Sequence, residues 1–278
     1  MNLLTPISNL FAGLPGALSQ VWFALSRAVL DYSSRLLSIC ALYYRLLVST
    51  FSERTGWRLM FQEFLKQIYF TSVQGAHVLI FSALMLGLVV NLHATQELTR
   101  VQGEEYVGWL LVTIIIREVG PVWAAFFVLL HSGSAITVEL GTMAVTREVE
   151  ALELMGIDPY RYLGVPRFWG LIVSLAVLYV LMALAAVLGG FLISQLFGET
   201  FWEKYWGSFL HNLTSMDVAL GFSKITSFGG IIATVSIYFG LKAERHLGEV
   251  AAYTSKGSLV GLVLVVSLDI ILSTAYYL

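Results

Sequence analysis

Five apolar stretches, each long enough to cross the hydrocarbon core of a bilayer as a helix, leave this chain few folds to choose from. A crossing helix needs about 20 residues at 1.5 Å rise for a core of roughly 30 Å, and the runs at about 68–92, 107–131, 168–197, 218–241 and 257–278 meet that length. The bilayer interior offers no water to the backbone, so runs this long must close their hydrogen bonds within themselves, as helices do. The expected class is an all-α integral membrane protein with five transmembrane helices. Composition agrees, with 58% hydrophobic and 12% charged residues among 278, about half the charge of a soluble domain. The net charge of −2 argues against nucleic acid as a partner. Cys40 is the lone cysteine, which excludes an intrachain disulfide and a cysteine-clustered metal site.

Residues 1–50 read differently, because Arg27, Asp31, Arg35 and Arg45 interrupt the apolar residues. The pattern predicts an interfacial, amphipathic helical region along the membrane surface, with a poorly ordered tail as the alternative. No basic residue precedes Arg27, and Pro6 and Pro15 break the apolar stretch, so a cleaved signal peptide is not expected. Residues 51–278 form the second expected unit.

Orientation follows from the basic residues of the short loops. One set of connections holds Arg54, Arg58, Lys66, Arg147, Arg161, Arg167, Lys242, Arg245 and Lys256, whereas the opposite loops hold only Arg100 and Lys204 among six acidic residues. Nine against two places the first set in the cytoplasm and the C-terminus on the far side.

Four ionisable residues fall inside the spans: Arg117 and Glu118 in the second, Lys224 in the fourth and Asp269 in the fifth. Each costs about 2.5–3.5 kcal/mol on insertion scales, so such groups face a cavity, a ligand or one another. Arg117 and Glu118 point about 100° apart on a helix, and at least one must reach another helix or a ligand. Pro121 follows within the same span and is expected to kink it. Ser132-Gly133-Ser134-Ala135, Gly189-Gly190 and Gly229-Gly230 suit close helix packing. A sharper reading pairs His131 with Ser134 as a hydrolase dyad, but no oxyanion partner can be named. The remaining histidines, His77, His93, His211 and His246, are scattered singly, unlike metal ligands. No phosphate-cradling G-x-x-x-x-G-K-[ST] loop occurs, so any ATP would be bound by another subunit.

Between the second and third spans, Val145, Val149, Leu152 and Met155 are spaced by four, three and three residues, which predicts one apolar stripe on a helix over about 142–156. Arg147, Glu148, Glu150 and Glu153 occupy its other face, and Gly156 followed by Pro159 forms a stop signal. Such a helix lies on the membrane or docks into a groove on a soluble partner.

Glu150-Ala151-Leu152, then Gly156 and Pro166, look like the coupling-loop pattern of ABC-importer permeases. More specifically, the block from Arg117 to Trp169, with its R-E-x-G-P start, small-residue run and late D-P…P-R-F-W, resembles the MlaE family of lipid-transporting permeases. The similarity runs from about Phe64 onward, and Ser267-Leu268-Asp269 is similar to that family's G-L-D element. The resemblance implies a Gram-negative inner-membrane homodimer bearing two cytoplasmic ABC ATPase subunits, a STAS-domain accessory protein and a periplasmic MCE-domain hexamer. It further implies a lipid substrate, no cofactor within this chain, and no catalytic residues. Arg117, Glu118, Lys224 and Asp269 are then candidates for the lipid cavity. Arg147, Glu148, Glu150, Leu152, Met155, Gly156 and Asp158 are candidates for contact with the ATPase. His131 stands where many relatives carry arginine, and the loop GLKAERHLGEVAAYTSKG is more charged than the family pattern. Two other readings stay open: a proton-coupled secondary transporter using Glu118 and Asp269, and a structural assembly factor acting through the loop helix.

Overall fold

A computed structural model describes residues 16–51, 57–100, 107–196, 202–243 and 246–278. Residues 1–15, and with them part of the expected interfacial region, lie outside the described residues, as do Arg54, Glu104, Glu105, Glu199 and Arg245 from the loop census. Among the described residues the chain is helical throughout. It divides into two compact units, residues 1–45 and 46–278. Helix α1 (Gly16–Phe51) accounts for the described part of the first.

The second unit contains the membrane-crossing helices α2 (Met60–Leu98), α3 (Gly108–Val145), α5 (Tyr160–Leu196), α7 (Ser215–Gly240) and α8 (Leu247–Tyr277), all long and apolar enough to span. The short α4 (Glu148–Leu154) and α6 (Trp202–Asn212) lie in the connections. The protein is therefore an all-α integral membrane protein. Helices α5 and α7 are the most enclosed: 56% of the most apolar window of each is buried, against 22% for α2 and 11% for α8.

Small residues set the closest approaches, as van der Waals packing in membranes requires. A Cβ on Gly87 would collide with the Ala186 backbone, and one on Gly189 with the Leu84 backbone. Asn91 of α2 donates to Gly190 O at 2.5 Å and to Ser194 Oγ at 2.7 Å, both on α5. In α6, Tyr205 Oη donates to Val187 O at 3.0 Å, and burial raises its phenol above the ordinary tyrosine value.

Helix α3 is not a uniform α-helix. Wider π-turns occupy Val112–Glu118 and Leu129–Gly133, the kind of local widening that accumulates at functional sites. The first ends two residues before Gly120-Pro121. Proline has no N–H to return to the carbonyl four residues earlier, so the Arg117 carbonyl is released from the helical ladder. Gly120 accommodates the distortion, since a Cβ there would strike the Ile115 carbonyl.

The expected helix over 142–156 is two pieces. Thr142–Val145 belongs to the end of α3, and Arg147, with φ of 62°, breaks the chain before α4 begins at Glu148. Val145 thus completes a span, and only the later residues form a separate helix. Gly156, at φ of 77°, ends the turn as expected: Ile157 N donates to Leu152 O at 3.0 Å and Gly156 N to Glu153 O at 2.9 Å, a glycine-closed helix end. The base of this hairpin is clasped by Arg167 of α5 and Glu139 of α3, 2.7 Å apart.

Candidate functional site

The end of α3 far from this hairpin carries the intramembrane charges. Glu118 is ten residues into α3 and Lys224 nine residues into α7, which sets both about 14–15 Å along their helices. Asp269 enters from α8, and the three converge. Lys224 Nζ lies 3.1 Å from Glu118 Oε2 and 2.9 Å from Asp269 Oδ1. It also donates to Ser273 Oγ at 2.7 Å and to Arg117 O at 2.8 Å. The last contact fills the vacancy that Pro121 creates. The neighbouring Ile116 O accepts from Tyr179 Oη at 2.8 Å. The lysine is wholly buried, and a buried ammonium needs this density of oxygen partners to offset its desolvation.

Ser273 Oγ donates to Glu118 Oε2 at 2.8 Å, so that oxygen receives two donors. Glu118 Oε1 is buried and receives none among the described residues.

Arg117 does not join this group. Its Nε lies 2.7 Å from Asp217 Oδ1, nearer the end of α7. Tyr276 Oη donates to the same oxygen at 3.3 Å, and the tyrosine ring lies 5.6 Å below the guanidinium carbon. Asp217 is fully buried and also serves as the N-terminal lock of α7: its Oδ2 accepts the Thr214 N–H at 2.9 Å, within a capping box. One residue thus ends a helix and neutralises a cation, a double role available only at a buried helix start.

The site has two layers. Asp217 and Lys224 are seven residues apart on α7, and Asp269 and Tyr276 seven apart on α8, so each pair shares a helix face about 10 Å apart along it. The structure brings Glu118, Lys224 and Asp269 together and places Arg117 in the adjoining layer, with neighbours in sequence reaching different helices. Asp217, Ser273 and Tyr276 were not anticipated. Their seven- and four-residue spacings from Lys224 and Asp269, and the Thr214-x-x-Asp217 pattern, were the available signals.

His131 lies elsewhere on α3. Its ring stacks between Phe70 and Phe127 at 5.3 and 5.6 Å, and Nδ1 is 3.1 Å from Ser132 Oγ. Ser134 donates to the Leu130 carbonyl instead, so no dyad with His131 forms. The ring borders an open groove of about 340 Å³ whose other walls include Val78, Trp123 and Leu130.

In the hairpin, Arg147, Glu148, Glu150, Met155, Gly156 and Asp158 are exposed and Leu152 is half-buried. Asp158 Oδ1 accepts the Tyr160 N–H at 3.0 Å, holding the return into α5. Val149 and Leu152 of α4 are half-buried, whereas Leu154 at its end is 89% exposed and Met155 just after it 66%.

The permease MlaE family model matches residues 64–275, which includes every residue of both layers except Tyr276. The intermembrane phospholipid transport system permease protein MlaE of Haemophilus influenzae is 26% identical over 255 residues, 91% of this chain and 96% of that protein. A probable ABC transporter permease protein of Rickettsia typhi is 29% identical over 69% of this chain and 74% of its own length. The chloroplastic protein trigalactosyldiacylglycerol 1 of Arabidopsis thaliana is 25% identical over 77% of this chain and 61% of its own. With the match running from within α2 almost to the end of α8, this chain belongs to the MlaE permease family.

Proposed function

We propose that this chain is the membrane subunit of an ABC-type transporter that moves phospholipids, or related lipids, between the inner and outer membranes. The observation that carries the reading is the family match over residues 64–275 together with a relative named for intermembrane phospholipid transport. The chain lacks a phosphate-cradling loop, so hydrolysis belongs to a separate ATPase, two copies on a homodimer of this chain. Exposed Leu154 at the end of α4 and Met155 just after it suit an apolar groove on that ATPase. Closure of the ATPases would push on α4, and the Glu139–Arg167 clasp would pass the motion into α3 and α5. On the basic-loop count this end is cytoplasmic, and the two charged layers then lie toward the periplasm, as does the C-terminus. Helix α1 lies along the inner-membrane surface of a Gram-negative bacterium. A periplasmic MCE-domain hexamer and a STAS-domain protein complete the assembly.

The test is native mass spectrometry of the tagged chain, gently solubilised from its own membranes, followed by transport assays in vesicles. Two copies of the chain with two ATPase subunits and retained phospholipid are expected. A lone oligomer whose transport ignores ATP and stops when the proton gradient collapses would overturn the proposal in favour of a proton-coupled carrier.

A further inference from the structure

The charged residues of α3, α7 and α8 are spent on one another, but the groove beside His131 is open. It lies between α2 and α3 and holds about 340 Å³. Its wall on α3 runs from Trp123 to His131, eight residues apart and so about 12 Å along the helix, close to the roughly 15 Å of hydrocarbon in one leaflet. At the His131 end, π-turns over Tyr69–Gln74 and Leu129–Gly133 bring Phe70 of α2 against the imidazole, which also stacks on Phe127. Gly75 permits this approach, since a Cβ there would come within 3.0 Å of the Phe127 ring. At the other end the Trp123 indole N–H donates to Ser82 Oγ at 3.3 Å, and Ser82 donates to Leu79 O at 2.9 Å. No aspartate, glutamate, lysine or arginine lines the groove.

One donor there is unused. Ser132 is fully buried, and its hydroxyl has one partner among the described residues, His131 Nδ1 at 3.1 Å. The hydroxyl therefore donates to Nδ1, which puts the imidazole hydrogen on Nε2. His131 Nε2 has no hydrogen-bond partner among the described residues, and it is not enclosed. An accessible N–H at the end of an apolar groove suits a hydrocarbon chain that carries an acceptor at one end. His131 lies 13 residues beyond Glu118 on α3, toward the hairpin, the cytoplasmic end on the basic-loop count.

We propose that this groove seats one acyl chain of a diacyl lipid from the cytoplasmic leaflet, with the ester carbonyl accepting from His131 Nε2 and the chain running toward Trp123. A lipid in that leaflet has its esters toward the hairpin and its tails toward the midplane, the same direction as the groove. This rests on the lipid-permease reading and names the part of the substrate that is recognised, an ester-linked chain.

The intact complex, purified from its own membranes, is reconstituted in vesicles holding equal amounts of two phosphatidylcholine probes. Both carry the same photoreactive diazirine in the chain, and they differ only in an ester or an ether linkage. After irradiation the adducts are mapped by mass spectrometry, which also tells the probes apart. The ester probe should exceed the ether probe by about fivefold on residues 123–131, the worth of one neutral hydrogen bond, and the two should be equal on the exposed Val263 and Ile270 of α8. His131→Phe keeps a ring between Phe70 and Phe127 but offers no donor, and the ratio should fall to about one. Val78→Trp fills the groove from α2 and should remove labelling of residues 123–131 by both probes while α8 is labelled as before. The ratio is internal to each sample, so lower yield of a variant does not imitate the result. Equal labelling of residues 123–131 by the two probes in the unaltered complex, as bulk lipid would give, overturns the inference. So does a ratio that survives His131→Phe, labelling that survives Val78→Trp, or no labelling of residues 123–131, as a second copy of the chain covering the groove would give. Labelling in the expected ratio without ATP-driven transfer of either probe supports the seat and overturns the lipid-permease reading instead.

Discussion

The two ends of α3 expose opposite kinds of unfinished business. At one end, Arg117 and Glu118 are charged residues in an apolar setting, and each reaches across to α7 or α8 for a partner. At the other, Leu154 and Met155 follow α3 through the Arg147 break and stand exposed in a polar one. Charge inside a membrane is costly until it finds a partner or a cavity, and here both residues find theirs within the chain. An apolar face outside it can wait for another molecule. The difference separates residues that hold this bundle together from residues that connect it to something else, and substitutions at the two ends should fail in different ways.

The largest effect belongs to Lys224→Met. Removing one ammonium strands Glu118, Asp269 and the Arg117 carbonyl at once, and breaking a buried pair from one side costs about 3–5 kcal/mol. The expected result is a much lower unfolding temperature in detergent and poor recovery of folded protein. Near-normal thermal stability would mean that the three acceptors find other donors, and that this end is looser than its contacts indicate. Thr214→Ala comes next, at about 1 kcal/mol for a lost N-cap. It removes the hydroxyl that accepts the Asp217 N–H and loosens the start of α7, while the backbone N–H at position 214 can still reach Asp217 Oδ2. Labelling of Arg117 by a guanidine-reactive reagent should rise modestly, and an unchanged rate would show that the ion pair stands without the hydroxyl.

How much of this was legible beforehand differs between the two ends as well. The five spans came from hydropathy alone, because runs of this length have one physical solution in a bilayer. Hydropathy did not separate the enclosed α5 from the peripheral α8, since lipid tails and a protein core are equally apolar and both faces read alike. Arg117, Glu118, Lys224 and Asp269 stood out as charges within apolar runs. Asp217 did not, because it sits among acidic loop residues, and its membership of the site depends on a tertiary approach by α3. Ser273 and Tyr276 were hidden for a related reason: a hydroxyl in a span usually bonds its own helix, as Thr274 does to Ile270 O at 2.6 Å. On the hairpin, the apolar spacing was assigned to one helix, whereas Val145 completes α3 and the later residues follow the break at Arg147. The left-handed backbone at Arg147 is carried by a residue type that gives no warning of it.

Tyr276→Phe refines the comparison inside the charged end. The ring remains under Arg117, and only the 3.3 Å hydrogen bond to Asp217 is lost. Asp217 keeps Arg117 and the Thr214 N–H, so the cost should be about 0.5–1 kcal/mol, read as a small drop in unfolding temperature. A loss approaching that of Lys224→Met would show that the outer layer depends on the hydroxyl, and that the two layers unfold as one.

The smallest effect on stability, and the most informative one for the contrast, is expected from Leu154→Ser combined with Met155→Ser. Both side chains are exposed, and neither touches the charged layers, so the isolated chain should unfold within about 0.5 kcal/mol of the original. The same pair removes the exposed apolar side of the hairpin at the end of α4. If that side is the seat of the ATPase, co-purification should be lost and ATP-driven lipid transfer should fall by on the order of tenfold or more, the loss typical of an interface anchor. Lys224→Met would then be a variant that cannot hold its fold, and the serine pair one that folds but receives no drive. Full transport by the serine pair would move the seat to the polar side of the hairpin, where Glu148, Glu150 and Asp158 are exposed, and Leu154 and Met155 would be left to the membrane surface.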